Sequence, residues 1–271
     1  MQEYENGNTY ASSASNPEYS HQDKTPQSQE ERYPKGNKFL NILIFIGWFI
    51  LAEIPIVTLS FIVGFSVHMD LLTGTVSTLL FLLFTGIIVW FVRRYYQHHT
   101  YEQPKKFKGK DIAINIGWAV LLRLLVIGMS LLMLVVTGSR TTKNDQMLLG
   151  NMDGQPSPDQ LGQAFPVIVF ALTITFIAPY LEELIYRGIF KETLFKRSRF
   201  WLPFILSSII FGSQHNPTNW VAALMYIFMG MIFYLAYHRR GNVRDSMMVH
   251  MIHNGVTGIL ILVGYFTVLF S

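Results

Sequence analysis

Two adjacent carboxylates and an arginine, in the run Glu182, Glu183, Leu184, Ile185, Tyr186, Arg187, open the part of the chain whose residue types could do chemistry. Glu183 and Arg187 stand one helical turn apart and can pair on one face. Glu182 points about 100° away from Glu183 and is free to face something else. A second pattern, Phe211-Gly212-Ser213-Gln214-His215, sets a ring and an imidazole one turn apart. A third, His250-Met251-Ile252-His253-Asn254, does the same for an imidazole and a carboxamide, with His253 near that face. A carboxylate that meets an imidazole in a water-excluded pocket activates a water molecule, as a general base or through a metal. Taken singly, each pattern has a blander reading that explains it at least as well. The first would be a helix leaving a membrane and turning charged at its cytoplasmic end. The second would be a histidine wetted by the loop Asn216, Pro217, Thr218, and the third an interfacial histidine pair.

What places these residues is a set of long apolar runs. Of 271 residues, 51% are hydrophobic and 14% charged, against about a quarter charged in soluble domains. Runs at 39–67, 71–92, 112–136, from 165 onward, 201–212, 220–237 and 247–270 predict about seven helices, the fifth short for a full crossing. The fold class expected is therefore all-α, a polytopic transmembrane helical bundle. The net charge of +4 does not point to nucleic acid, because Lys and Arg fall in alternate loops. Arg32, Lys35 and Lys38 precede the first span, Arg93 to Lys110 lie in the second loop, Lys191 to Arg199 in the fourth, and Arg239, Arg240 and Arg244 in the sixth. That pattern predicts a cytoplasmic N-terminus and an external C-terminus. With no cysteine, a disulfide framework, a thiolate metal site and a Cys nucleophile are all excluded.

Four segments follow. Residues 1–37, polar and poor in aliphatics, read as a disordered cytoplasmic tail. Residues 38–137 hold three spans without motifs, 138–164 an external loop, and 165–271 the helices that carry the patterns. Glu53 and Arg123 lie inside spans of the first half and are expected to neutralise one another as a structural pair.

Geometry raises the patterns above their bland readings. The basic stretch 196–199 is the predicted turn between the fourth and fifth helices. Glu182 lies roughly 16 residues before it and His215 roughly 17 after it, so both sit about 25 Å from the turn and could meet in an antiparallel hairpin. His250 lies only about one to two turns beyond its own cytoplasmic loop. Helix tilt or a recessed loop has to close that gap.

The order E-E-x-x-x-R, F-x-x-x-H, H-x-x-x-N across the last spans resembles the CPBP family, also called Abi. It includes endopeptidases that trim prenylated CAAX proteins and bacterial relatives tied to bacteriocin processing or immunity. The resemblance covers residues 165 to the C-terminus. It implies that Glu182 and His215 activate the attacking water and that His250 and Asn254 stabilise the oxyanion, with Glu183 and Arg187 holding the site together. One carboxylate and two imidazoles, Glu182, His215 and His250, are also a donor set that zinc accepts. The same groups work without metal, and the resemblance leaves both open. No H-E-x-x-H, no G-x-G-D and no rhomboid-like serine pattern competes.

The function expected is an intramembrane endopeptidase of the CAAX type. It would act on a membrane-associated protein or peptide near the cytoplasmic half of the bilayer, in a bacterial cell membrane. Two rivals stand beside it: a non-catalytic immunity or scaffold protein of the same fold, and a transporter using Glu182 and His215 as a proton relay.

Overall fold

The computed structural model describes residues 34–101, 103, 105–149, 161–196 and 199–271. The expectations for residues 1–33 and 150–160, the tail and part of the external loop, lie outside the described residues. Among the described residues every regular element is helical. In chain order these are α1 (Lys38–Phe65), α2 (Leu71–His99), α3 (Gly109–Thr137), the short α4 (Lys143–Leu149), α5 (Ala164–Leu194), α6 (Trp201–Gln214), α7 (Trp220–Arg240) and α8 (Val243–Leu269). Six are long and apolar enough to cross a membrane, and α6 is the short apolar helix. The chain is a multi-pass integral membrane protein.

Local chemistry marks the helix starts. Asn37 caps α1 through the amides of Phe39 and Leu40, Asp70 caps α2 through Thr73, and Asn219 caps α7 through Ala222. Each side-chain oxygen takes up an amide that the first turn leaves unpaired. The Thr73 amide holds the Asp70 carboxyl below its ordinary range. Gly241, at φ 58°, ends α7 in the left-handed conformation that glycine adopts without strain.

Helices α5 and α7 form the centre, with side chains such as Leu181, Ile185, Ile189, Phe233 and Tyr234 wholly buried. The outer helices turn apolar faces outward through residues such as Leu83, Val135 and Ile259, as lipid contact requires. Lipid is as apolar as leucine, so close packing rather than burial from water must hold the bundle. The α6–α7 hairpin shows how close. A Cβ on Gly230 would stand 2.9 Å from Ser208 Cα and 3.2 Å from its carbonyl oxygen. Gly230→Ala is expected to destabilise the protein by about 1–3 kcal/mol through overpacking, seen as a lower melting temperature in detergent. Gly47→Ala, whose Cβ would meet nothing within 4 Å, is the control and should melt unchanged.

Helix α5 does not turn toward solvent after Leu181, which corrects the idea of a charged helix end. Glu183 and Arg187 are fully buried, and burial continues through Lys191, Glu192 and Thr193 to Leu194. Two π turns, Thr173–Ile177 and Leu184–Ile189, interrupt the α register. Such wide turns insert a residue and re-aim the side chains that follow.

Candidate active site

The polar residues that open α8 are buried, while Arg244 beside them stays exposed. Asn242, Asp245 and Ser246 are fully buried, covered by the α2–α3 loop, whose Lys105 amide donates to Asn242 Oδ1 at 3.3 Å. Lys105 Nζ also donates to the Arg240 carbonyl. Arg239 bridges Asp111 at 3.1 Å and Asp245 at 2.6 Å, and Arg240 pairs with both carboxylates. This polar clasp seats the start of α8 deep in the bundle. The recessed loop therefore closes the depth gap that the sequence leaves between His250 and the glutamates.

His250 Nδ1 stands 2.9 Å from Glu183 Oε1, and its Nε2 stands 3.9 Å from Glu182 Oε2. Glu183 Oε1 is also bonded by Arg187 Nη1 at 3.1 Å, and Arg187 Nη2 donates to the Gly230 carbonyl at 2.8 Å. The expected Glu183–Arg187 pair is thus present, and it carries an imidazole as well. A carboxylate accepts, so Nδ1 of His250 bears the hydrogen and Nε2 faces Glu182. This is the arrangement in which a second carboxylate orients a working histidine. Phe233 stacks on the His250 ring at 4.1 Å, and Arg187 lies over Phe211 and Phe233 at 5.1 and 5.4 Å.

His215 follows the end of α6. Its Nδ1 is 2.9 Å from the Phe211 carbonyl, one turn back. A carbonyl only accepts, so Nδ1 again carries the hydrogen and the Nε2 lone pair is free. Phe211, wholly buried, touches both imidazoles, with centroids 4.6 Å from His215 and 5.8 Å from His250. Tyr226 stacks on His215 at 4.4 Å, and its hydroxyl bonds Thr142 Oγ1 at 2.7 Å. Asn254 donates from Nδ2 to the Ile174 carbonyl at 3.1 Å, inside the first π turn. One amide hydrogen of Asn254 is left for another acceptor.

Glu182, His215, His250 and Asn254 all line one cavity of about 150 Å³, room for about five waters at ~30 Å³ each. Glu182 Oε2 is buried there without a hydrogen-bond partner. Asn144 and Asp145 of α4 also line the cavity. They come from the loop opposite the three basic ones. The segment leading into α4 reaches the bundle through the Thr142 hydroxyl, which bonds Tyr226.

The first half of the chain also enters the site, which the motifs did not indicate. Glu53 of α1 lines the cavity and accepts from Gln214 Nε2 at 2.6 Å. Arg123 donates instead to the His253 carbonyl at 2.7 Å. The Glu53–Arg123 pair expected from the sequence is not formed, since each finds a partner on a different helix. His253 lines the cavity too, its Nδ1 buried without a partner. The cost of an ionisable group within a span was the available signal for Glu53. For Tyr226 and Phe233 no local pattern existed.

Zinc requires three or four donors about 2.0–2.2 Å from a common point. Among the described residues no three His, Cys, Asp or Glu side chains are arranged to hold a metal. Glu182, His215 and His250 as placed do not fit the ion.

Residues 164–256 match the family described as Type II CAAX prenyl endopeptidase Rce1-like. The UPF0177 protein YvdC of Lactococcus lactis is 30% identical over 223 residues, covering 78% of this chain and 74% of that protein. The chain belongs to the CPBP, or Abi, family. The Membrane-embedded CAAX protease MroQ of Staphylococcus aureus is 27% identical to this CPBP protein over 164 residues, 57% of this chain and 58% of the relative. No solved structure matches the chain. At the level of the family, this CPBP chain is related to membrane-embedded peptidases. The matched region runs from α5 into α8, the helices that bring Glu182, His215, His250 and Asn254 together.

Proposed function

We propose that this protein is an intramembrane endopeptidase that hydrolyses a peptide bond of a membrane-associated protein or peptide with a Glu/His-activated water. The observation that carries the reading is the convergence of Glu182, His215, His250 and Asn254, from three segments far apart in the chain, on one buried cavity. A scaffold or immunity protein has no physical need for that convergence.

In this reading a water bound in the cavity donates one hydrogen to the free Nε2 of His215 and loses the other to the Glu182 carboxylate. The resulting hydroxide attacks the substrate carbonyl carbon. Charge develops on the carbonyl oxygen, where the spare Asn254 amide hydrogen and a proton on His250 Nε2 would stabilise it. With Nδ1–H held by Glu183, donation from Nε2 requires the imidazolium form, for which Glu183 is the counter-ion. As the C–N bond breaks, Glu182 returns its proton to the leaving amine, which balances the cycle.

The test is a comparison of membrane peptidomes from cells carrying the wild-type chain and Glu182→Ala. Peptides released only by the wild type are the expected result, and identical peptidomes would refute the activity. Activity of the purified protein is expected to survive a chelator, since the cycle uses only side chains. Loss on chelation with recovery on adding zinc would establish the metal-dependent alternative. The same proposal places the N-terminus and the basic loops in the cytoplasm. Reporter fusions should put the loop containing Tyr101 there, and an external Tyr101 would reverse the orientation.

A further inference from the structure

We infer that Gln214 is a substrate-binding residue whose Oε1 accepts a backbone N–H of the bound peptide, and that Glu53 is the positioning residue that aims it. The inference rests on the peptidase reading and goes on to say what the cavity recognises.

The Gln214 carboxamide has two unlike ends. Its Nε2 donates to Glu53 Oε1 at 2.6 Å, and its Oε1 is buried with no hydrogen-bond partner. A carboxylate accepts and does not donate, so Glu53 draws the NH₂ end to itself and leaves the oxygen pointing elsewhere. Among the described residues no cation pairs with Glu53, and Arg123 is engaged by the His253 carbonyl. An amide oxygen buried without a donor is costly, and such a group asks for an explanation.

Two further acceptors face the same cavity. Glu182 Oε2 is an unpartnered acceptor in the same cavity. His215 offers a bare Nε2, because its Nδ1 hydrogen goes to the Phe211 carbonyl. Gln214 Oε1 and Glu182 Oε2 thus both stand without a hydrogen-bond partner on one cavity, next to the His215 lone pair. A polypeptide backbone is the complement, since it brings one N–H per residue. Gln214 immediately precedes His215 in the chain, so the amide it meets should lie within a residue or two of the bond attacked. A neutral hydrogen-bonding partner such as glutamine in place of Glu53 would both donate and accept and would let the carboxamide turn over. That accounts for an acidic residue at this position of a membrane helix.

The test uses a synthetic peptide spanning a cleavage site found in the peptidome comparison. In a series, each backbone amide other than the scissile one is replaced singly by an ester, which removes one N–H. Cleavage is measured with purified wild type, Gln214→Met and Glu53→Leu. In the wild type, one ester is expected to reduce kcat/KM by about tenfold, mainly through KM, as for one lost hydrogen bond to a buried acceptor. Gln214→Met should cleave that ester and the parent peptide equally well. Glu53→Leu should reduce the penalty, because the carboxamide is no longer aimed. A penalty kept in full by Gln214→Met overturns the inference. So does a wild-type profile with no sensitive position, a result that needs no variant to fold. If Gln214→Met cannot be purified, an undiminished penalty in Glu53→Leu overturns it as well. A peptide cleaved with a flat ester profile removes this inference alone, whereas a wild type that cleaves nothing removes the peptidase reading beneath it.

Discussion

Glu182→Gln is expected to reduce peptide cleavage by about 10²–10⁴-fold while leaving the amount of protein in the membrane nearly unchanged. Glutamine keeps the shape of the side chain and removes the base. Glu182 Oε2 makes no hydrogen bond within the protein, and no ion pair among the described residues depends on it except the 3.9 Å approach to His250. The fold has little to lose at this position and the chemistry has much. His215→Ala should be similarly damaging, because its free Nε2 is the second group holding the water. The double change should be hardly worse than either, since groups that act as one unit are not additive. Peptide release by the purified protein in detergent checks all three. A Glu182→Gln protein that cleaves at the wild-type rate would refute the assignment of the base.

Arg187→Met should act on the other side of the ledger, through stability. Glu183 and Arg187 are both fully buried and lie 3.1 Å apart. Removing Arg187 takes from the buried Glu183 carboxylate its permanent counter-ion, and loss of one partner of a buried pair costs about 3–5 kcal/mol. The expected result is a sharp fall in melting temperature and in membrane abundance. Adding Glu183→Gln to Arg187→Met removes the orphaned charge and should restore part of the abundance. Activity should stay low in the double variant, because His250 Nδ1 has then lost the carboxylate that orients it. Equal recovery of abundance and activity would mean that Glu183 serves the fold alone. An Arg187→Met protein that melts with the wild type would mean that the pair contributes nothing to stability.

Much of this arrangement was legible in the residues. Apolar run lengths specify the spans, because a bilayer sets a fixed thickness and leaves backbone groups no partner but their own helix. The one-turn spacing from Glu183 to Arg187 predicts their pair, and the matched distances of Glu182 and His215 from the 196–199 turn anticipate that both reach one cavity. These are local or nearly local quantities, read along one helix or one hairpin.

What the residues could not reveal depends on contacts between segments far apart in the chain. The start of α8 is held by a clasp in which Lys105 bonds Asn242 and Arg240 while Asp111 and Asp245 share Arg239 and Arg240, and that seating lets His250 reach the glutamates. Glu53 and Arg123 look like natural partners in sequence. Helix packing instead presents Gln214 to one and the His253 carbonyl to the other, and a buried polar group takes whichever partner the fold brings within reach. The π turns, which re-aim α5 and lend the Ile174 carbonyl to Asn254, have no simple compositional signature. The sequence by itself thus determined a helical membrane bundle and the side chains available for hydrolysis. The tertiary structure alone decided which of them meet, because in an apolar medium each costly polar group must be satisfied by a neighbour that only packing can supply.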